Sequence, residues 1–389
     1  MDKIIPLSVP NLKGNELEYL THAIETEWVS TGGKYIDDFE KEISKYLGVE
    51  KAVACQSGTA GLHLALKLCN VSSGDEVIVP TLTFIAAVNP VKYLGAEPIF
   101  MDCDDTLTMD MDKLEEFLEN ECIISNGKLV NRKTKKHIKA VVVVHVFGNM
   151  ANMEKLVYLS KKFNFKIVED ATEALGTYYN EGIYVGKFAG TIGDFGVYSF
   201  NGNKIITTGG GGMLVAKNIE DTNKARYFST QAKDDTLYYI HEEVGYNYRM
   251  TNIQAALGLA QQEQLEKFIE VKKKNYYLYK SIISDIKGLE ILDFKENIRP
   301  NYWFYSLLIK KDKFGSDRDE ILKGLGENNI QSRPIWGLIH EQTPYINNQS
   351  YKIEKAKYYF NRVLNIPCSS NLTYEDVLTV TTRLKDLKK

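Results

Sequence analysis

The feature that most constrains this chain is a repeated alternation along its first half. Short runs rich in β-branched residues recur: "KAVAC" (51–55), "DEVIVP" (75–80), "EPIFMD" (97–102), "KAVVVVHVF" (139–147), "FKIVED" (165–170), "GVYSF" (196–200) and "GMLVA" (212–216). Stretches with helical spacing lie between several of them, among them the segment from Ser57, "TFIAAVNPVKYLG" and "NMEKLVYLSKKFN". The runs are apolar on both alternations, as strands covered on both faces must be. Strand–helix alternation of this kind predicts an α/β domain with a mainly parallel sheet, placed at residues 1–250. Beyond it the texture changes. A long helix is expected from "TNIQAALGLAQQEQLEKFIEVKKKNYYLYKSII", then a strand "YWFYSLLIK" (302–310) and helices near 317–326 and 351–363. Residues 251–389 therefore read as a smaller α+β domain hung on a connecting helix.

Composition narrows the function classes. The chain has 389 residues with formal net charge −3, so no global basic field would draw in nucleic acid or an anionic membrane. Its apolar runs are too short to cross a bilayer, and the start "MDKIIPLSVPNLKGNE" lacks the apolar centre of a signal peptide, which makes a cytoplasmic location the expectation. Five cysteines are scattered with no CxxC pair, arguing against a disulfide framework or a zinc site. The basic stretch "SNGKLVNRKTKKHIK" (125–139) reads as a solvated hairpin turning at Asn126-Gly127.

Three signals carry chemistry. In "CQSGTAGLHLALKL", Ser57 can cap a helix whose first residues Gly58, Thr59 and Ala60 offer free backbone N–H groups, a disposition that attracts phosphate. In "IVEDATEALG", Asp170 ends an apolar strand, at the edge where open α/β sheets bind ligands. In "SFNGNKIITTGGGG", Lys204 follows another strand in an apolar, glycine-rich setting that disfavours its ammonium form. Each has an ordinary structural alternative. Together they match what pyridoxal phosphate requires: a lysine for the Schiff base, an aspartate for the pyridine nitrogen and a helix N-terminus for the phosphate. A Walker loop is excluded, because the lysine precedes the glycines.

Nearly the whole chain resembles the DegT/DnrJ/EryC1/StrS family of sugar aminotransferases, through "EWVSTGGKYIDDFE", "SGTAGLHLAL", "VIVPTLTFIAAVNPV", "GAEPIFMDCD", "VHVFGN", "VEDATEALG", "GDFGVYSFNGNKIITTGGGGM" and "GYNYRMTNIQAALG". The resemblance implies a fold-type I, aspartate aminotransferase-like enzyme. It makes Lys204 the Schiff-base lysine and Asp170 its partner at the pyridine nitrogen. Gly58, Thr59, Ala60 and Ser199 are implied at the phosphate, and Phe84 stacked on the ring. Asn247 is implied to be given by the neighbouring subunit of a homodimer. One departure stands out: many members have histidine where this chain has Glu173, close to the cofactor in the family. Because Lys204 is kept, the family's dehydratase branch is not favoured.

The implied reaction moves an amino group from L-glutamate to a nucleotide-linked keto sugar. The motifs "VHVFGNM", "QAKDD" and "RPNYWFYSL" resemble the branch that aminates UDP-4-keto-6-deoxy-N-acetylglucosamine for legionaminic acid or bacillosamine-type glycans, with GDP-perosamine-type synthases as the rival. Trp28, Arg249 and Arg333 are the candidates for substrate contact, each with a packing or ion-pair alternative. His145 reads as a satisfied near-core histidine. A pyridoxal-phosphate-binding regulator without turnover would need a DNA-binding element, and neither a helix-turn-helix nor a basic face is found.

Overall fold

The computed structural model describes residues 3–389. Seven strands form most of one large sheet: β1 (Ala52–Cys55), β2 (Glu76–Pro80), β3 (Glu97–Met101), β4 (Ile138–Val144), β5 (Lys166–Asp170), β6 (Phe195–Ser199) and β7 (Gly212–Ala216). Their spatial order is β1-β7-β6-β5-β4-β2-β3, with Ser350–Tyr351 added beyond β3. Every neighbouring pair from β6 to β3 is parallel, while β7 runs antiparallel to both β6 and β1. Two reversals cancel, so β1 points the same way as β6, β5, β4 and β2. Their carboxyl ends therefore share one edge of the sheet, and the loops after Cys55, Pro80, Asp170 and Ser199 all open there.

The strands are almost wholly buried, as their two-faced apolar runs require. Asn126 (φ 49°) and Gly127 (φ 73°) sit at the tip of a surface hairpin pairing Cys122–Ser125 with Lys128–Asn131, the turn expected from an Asn-Gly pair.

The second half departs from expectation at three places. The single long helix is two, Asn252–Gln262 and Leu265–Ile283, and at the break the Glu263 carboxylate accepts hydrogen bonds from Asn15 and Tyr19. The strand expected at 302–310 starts only at Tyr305 and ends at Ile309, because Tyr302 takes a left-handed φ of 55° that re-aims the chain. The helix expected near 351–363 covers only Lys355–Phe360. Ser350–Tyr351 joins β3, and Val363–Ile366 joins a small sheet with Leu289–Ile291 and Tyr305–Ile309.

The two halves are tied in both directions across residue 250. Ile5 pairs with Ile330 in the second half, while Ser350–Tyr351 lies on the first half's sheet. Asp102, at the end of β3, accepts the backbone N–H groups of Glu354, Lys355 and Ala356 at 2.8–2.9 Å. Among the described residues no helix is long and apolar enough to cross a membrane.

Candidate active site

At the shared carboxyl edge a cavity of about 380 Å³ is lined by Ser57, Gly58, Thr59, Phe84, Asp170, Glu173, Ser199 and Lys204, with Trp303, Phe304 and Trp336 from the second half. Each arrives by a local rule. Ser57 is extended and its Oγ accepts the Ala60 N–H at 3.1 Å, capping the helix Gly58–Leu68. Among the described residues the Gly58 and Thr59 N–H groups find no acceptor, leaving two donors at the positive end of the helix dipole. The glycines serve close approach. A Cβ on Gly58 would stand 3.0 Å from Cβ of Ser199, and one on Gly212 would stand 2.6 Å from the Ser57 carbonyl. So small residues let β7, β6 and the capped loop meet around one space.

Asp170 ends β5 and is 3% exposed, with the Thr172 N–H donating to its Oδ1 at 3.1 Å. Burial pushes its carboxyl above the usual range, against the hydrogen bonds from Thr172 and the pull of Lys204. Lys204 sits in the connection between β6 and β7. Its Nζ lies 3.8 Å from Glu173 Oε1 and 4.1 Å from the centre of the Trp303 ring. Burial lowers the Lys204 ammonium below its ordinary value, while Glu173 and Asp170 oppose that shift. Glu173 is 4% exposed; its Oε2 accepts the Phe147 N–H at 2.8 Å, and burial pushes the carboxyl up to about 7. The carboxyl at the departure position thus faces Lys204 directly.

These residues fit pyridoxal phosphate. The free N–H pair at Gly58 and Thr59 suits a phosphate, the Asp170 carboxylate suits a pyridine nitrogen, and the Lys204 amine opens into the same space. Ala60 does not line the cavity; its N–H is taken by Ser57.

The other expected residues lie elsewhere. The Arg249 guanidinium is buried and paired with Glu40, whose carboxylate also takes Arg226 and the Ala54 N–H, so it has no fork left for a substrate. Arg333 is exposed beside a hollow of Ile4, Leu322 and Gln331, and Trp28 is 61% exposed outside the cavity. Asn247 is also exposed, in a segment running along β1 where the Gln56 N–H donates to the Tyr248 carbonyl at 2.8 Å. His145 is fully buried: the Ala151 N–H donates to its Nδ1 and its Nε2–H to Glu169 at 2.8 Å, leaving neither nitrogen free.

Sequence reading missed the aromatic wall of Trp303, Phe304 and Trp336. The signal was "NYWF", in which polar Asn301 stands directly before an aromatic run: Asn301 is buried and holds the bend with four hydrogen bonds. An equally large hollow of about 380 Å³ opens among Lys51, Lys161, Lys187, Asp194 and Lys217. Among the described residues its lining sets no strand-end acid against a buried lysine, so chemistry rather than size selects the site.

The profile of the DegT/DnrJ/EryC1/StrS aminotransferase family matches residues 10–385. The chain belongs to that family. This DegT/DnrJ/EryC1/StrS enzyme is a pyridoxal-phosphate-dependent sugar aminotransferase of fold-type I. It is 36% identical to the protein EpsN of Bacillus subtilis (strain 168) over 97% of this chain and 94% of the relative. It is also 36% identical to the GDP-perosamine synthase of Escherichia coli O157:H7, over 97% of each. The crystal structure of the aminotransferase TlmJ from Streptoalloteichus hindustanus superposes with a TM-score of 0.88 at 25% identity, covering 99% of both chains.

Proposed function

We propose that the enzyme transfers the amino group of L-glutamate to C4 of a nucleotide-linked 4-keto-6-deoxy sugar, UDP-4-keto-6-deoxy-N-acetylglucosamine in the first reading. The observation that carries the transamination is the convergence of Lys204, Asp170 and the free Gly58–Thr59 N–H pair on one cavity. The bound pyridoxal phosphate supplies an electron sink for a carbanion at the substrate carbon. Lys204 tethers the cofactor and, once displaced by an amino substrate, carries the proton to and from that carbon. Its lowered ammonium pKa favours the neutral amine this task needs. Asp170 would hold the ring nitrogen protonated through a charge-assisted hydrogen bond. Gly58, Thr59, Ser57 and Ser199 would hold the phosphate, and Phe84 would cover the ring.

Among the described residues Lys204 is the single cation lining the cavity, whereas both substrates bring anions. We therefore place the complete site between two copies of the chain, with Asn247 reaching the phosphate held by its partner. The work is cytoplasmic in this reading, and its product feeds legionaminic acid or bacillosamine-type glycans.

A second reading has support of its own. The 36% identity to a GDP-perosamine synthase favours a GDP-linked keto sugar. One experiment separates the two. The absorbance of the purified enzyme is recorded, then again after L-glutamate, then after each keto sugar in turn. The yellow cofactor band should fade with glutamate and return with the UDP sugar. Return with the GDP sugar alone would replace the first reading by the second. No band after supplying pyridoxal phosphate would overturn both.

A further inference from the structure

Trp303 comes from far along the sequence, yet it stands against Lys204. We propose that Trp303 is a positioning residue: its indole face and the Glu173 carboxyl form a two-sided seat that holds the freed Lys204 side chain at each stage where it carries the proton as an ammonium. The proposal rests on the assignment of Lys204 as the cofactor lysine.

Geometry carries it. The ammonium nitrogen lies 4.1 Å from the ring centre, well inside the distance at which a cation is drawn to an aromatic face, and 3.8 Å from Glu173 Oε1. Among the charged groups lining the cavity, the other is Asp170, also an acid. The ring is fixed in place rather than resting there. Its Nε1–H donates to the carbonyl of Asn203 at 2.7 Å, so the indole is bound to the residue preceding the lysine itself. Its backbone N–H donates to Asn301 Oδ1 at 2.9 Å. Asn301 Nδ2 in turn donates to the carbonyls of Glu173 and Leu175, both at 3.0 Å. One fully buried amide therefore sets the positions of both sides of the seat. Trp303 is 2% exposed and packs flat on Phe304, with ring centres 4.0 Å apart.

Such a seat has a job in a reaction where the lysine leaves and must return. A freed, long side chain otherwise loses its place among many rotamers. Held between ring and carboxyl, it stays within reach of the reacting carbon, and Glu173 is the adjacent group able to take up or return its proton.

The test uses the full-length chain freed of cofactor. Lys204 is acylated competitively with acetic anhydride across a pH series, and its peptide is quantified by mass spectrometry in wild type, Trp303→Phe and Trp303→Leu. The titration midpoint of Lys204 should fall stepwise, by about 0.4 to 1.5 pH units in the Leu variant and less in the Phe variant. A role in packing alone would leave the midpoint unmoved. Glu173→Gln should lower it as well, and Trp303→Leu should lower it further in that background. Midpoints equal to wild type in both tryptophan variants would overturn the seat. If the Leu variant does not fold by circular dichroism, the Phe variant decides on the same criterion. Borohydride reduction of the loaded wild type, followed by peptide mapping, keeps the two claims apart. Attachment at a lysine other than Lys204 would sink the assignment of the cofactor lysine, whatever the midpoints show.

Discussion

Glu169 and Glu173 are two buried carboxylates four residues apart, and they live by different rules. Glu169 accepts four hydrogen bonds, from the backbone N–H groups of Gly190, Ile192 and Gly193 and from His145. Its capacity is used up, and it fastens the 190–193 turn to β5. Glu173 accepts one backbone N–H, from Phe147, and turns its other oxygen toward Lys204. The difference separates a saturated acid from one that keeps an oxygen free inside the same fold. A saturated carboxylate fixes its surroundings, whereas an unsaturated one beside a lysine keeps the freedom to gain or lose a proton.

The largest effect expected lies at the Lys204–Glu173 end. Lys204→Ala should keep the fold and lose turnover by roughly 10⁴-fold or more, read as steady-state amino-sugar formation. Retained turnover would take Glu173 out of the chemistry along with its partner. Next comes the saturated acid. Glu169→Ala strands four buried donors and should cost about 3 kcal/mol or more of stability by urea denaturation, with kcat little changed in whatever fraction folds. A stable variant with a damaged rate would blur the contrast.

Glu173→Gln sharpens it through pH. The folded carboxyl is raised to about 7 from its ordinary 4.5, so its contribution is full below 4.5 and is lost as pH rises through 7. In the cofactor-free chain the Gln variant should therefore gain on wild type by about 3 kcal/mol between pH 4 and pH 8. A pH-independent difference would mean that Glu173 is neutralised in another way. The smallest effect is set by packing at the phosphate end. Gly58→Ala pushes a methyl to 3.0 Å from Ser199 and should weaken pyridoxal phosphate binding by about tenfold, read by cofactor titration.

Much of the first half was legible because its signals are local. Strand runs, the Ser57 cap and the Asn126-Gly127 turn each follow from a few adjacent residues, and Gly58, Thr59, Phe84, Asp170, Glu173, Ser199 and Lys204 meet in one cavity. Trp303 and Trp336 were not legible. In "YWFYSLLIK" four neighbouring aromatics look alike, and which one faces the cavity depends on the Tyr302 φ and the bonds of Asn301, neither of which has a local signature. Arg249 shows the reverse limit. An arginine near a predicted site invites a substrate, but its partner Glu40 stands some two hundred positions away in sequence.

The backbone ties between the halves bear on how a bulky sugar nucleotide gets in. Asp102 clasps residues 354–356, Ser350–Tyr351 extends the main sheet, and His340 bonds to Thr81 two residues from the cavity-lining Thr83. With the second half stapled at three points along one flank, the aromatic wall is part of the frame and not a door. Admission then falls to the open rim, where Phe84 stands 55% exposed.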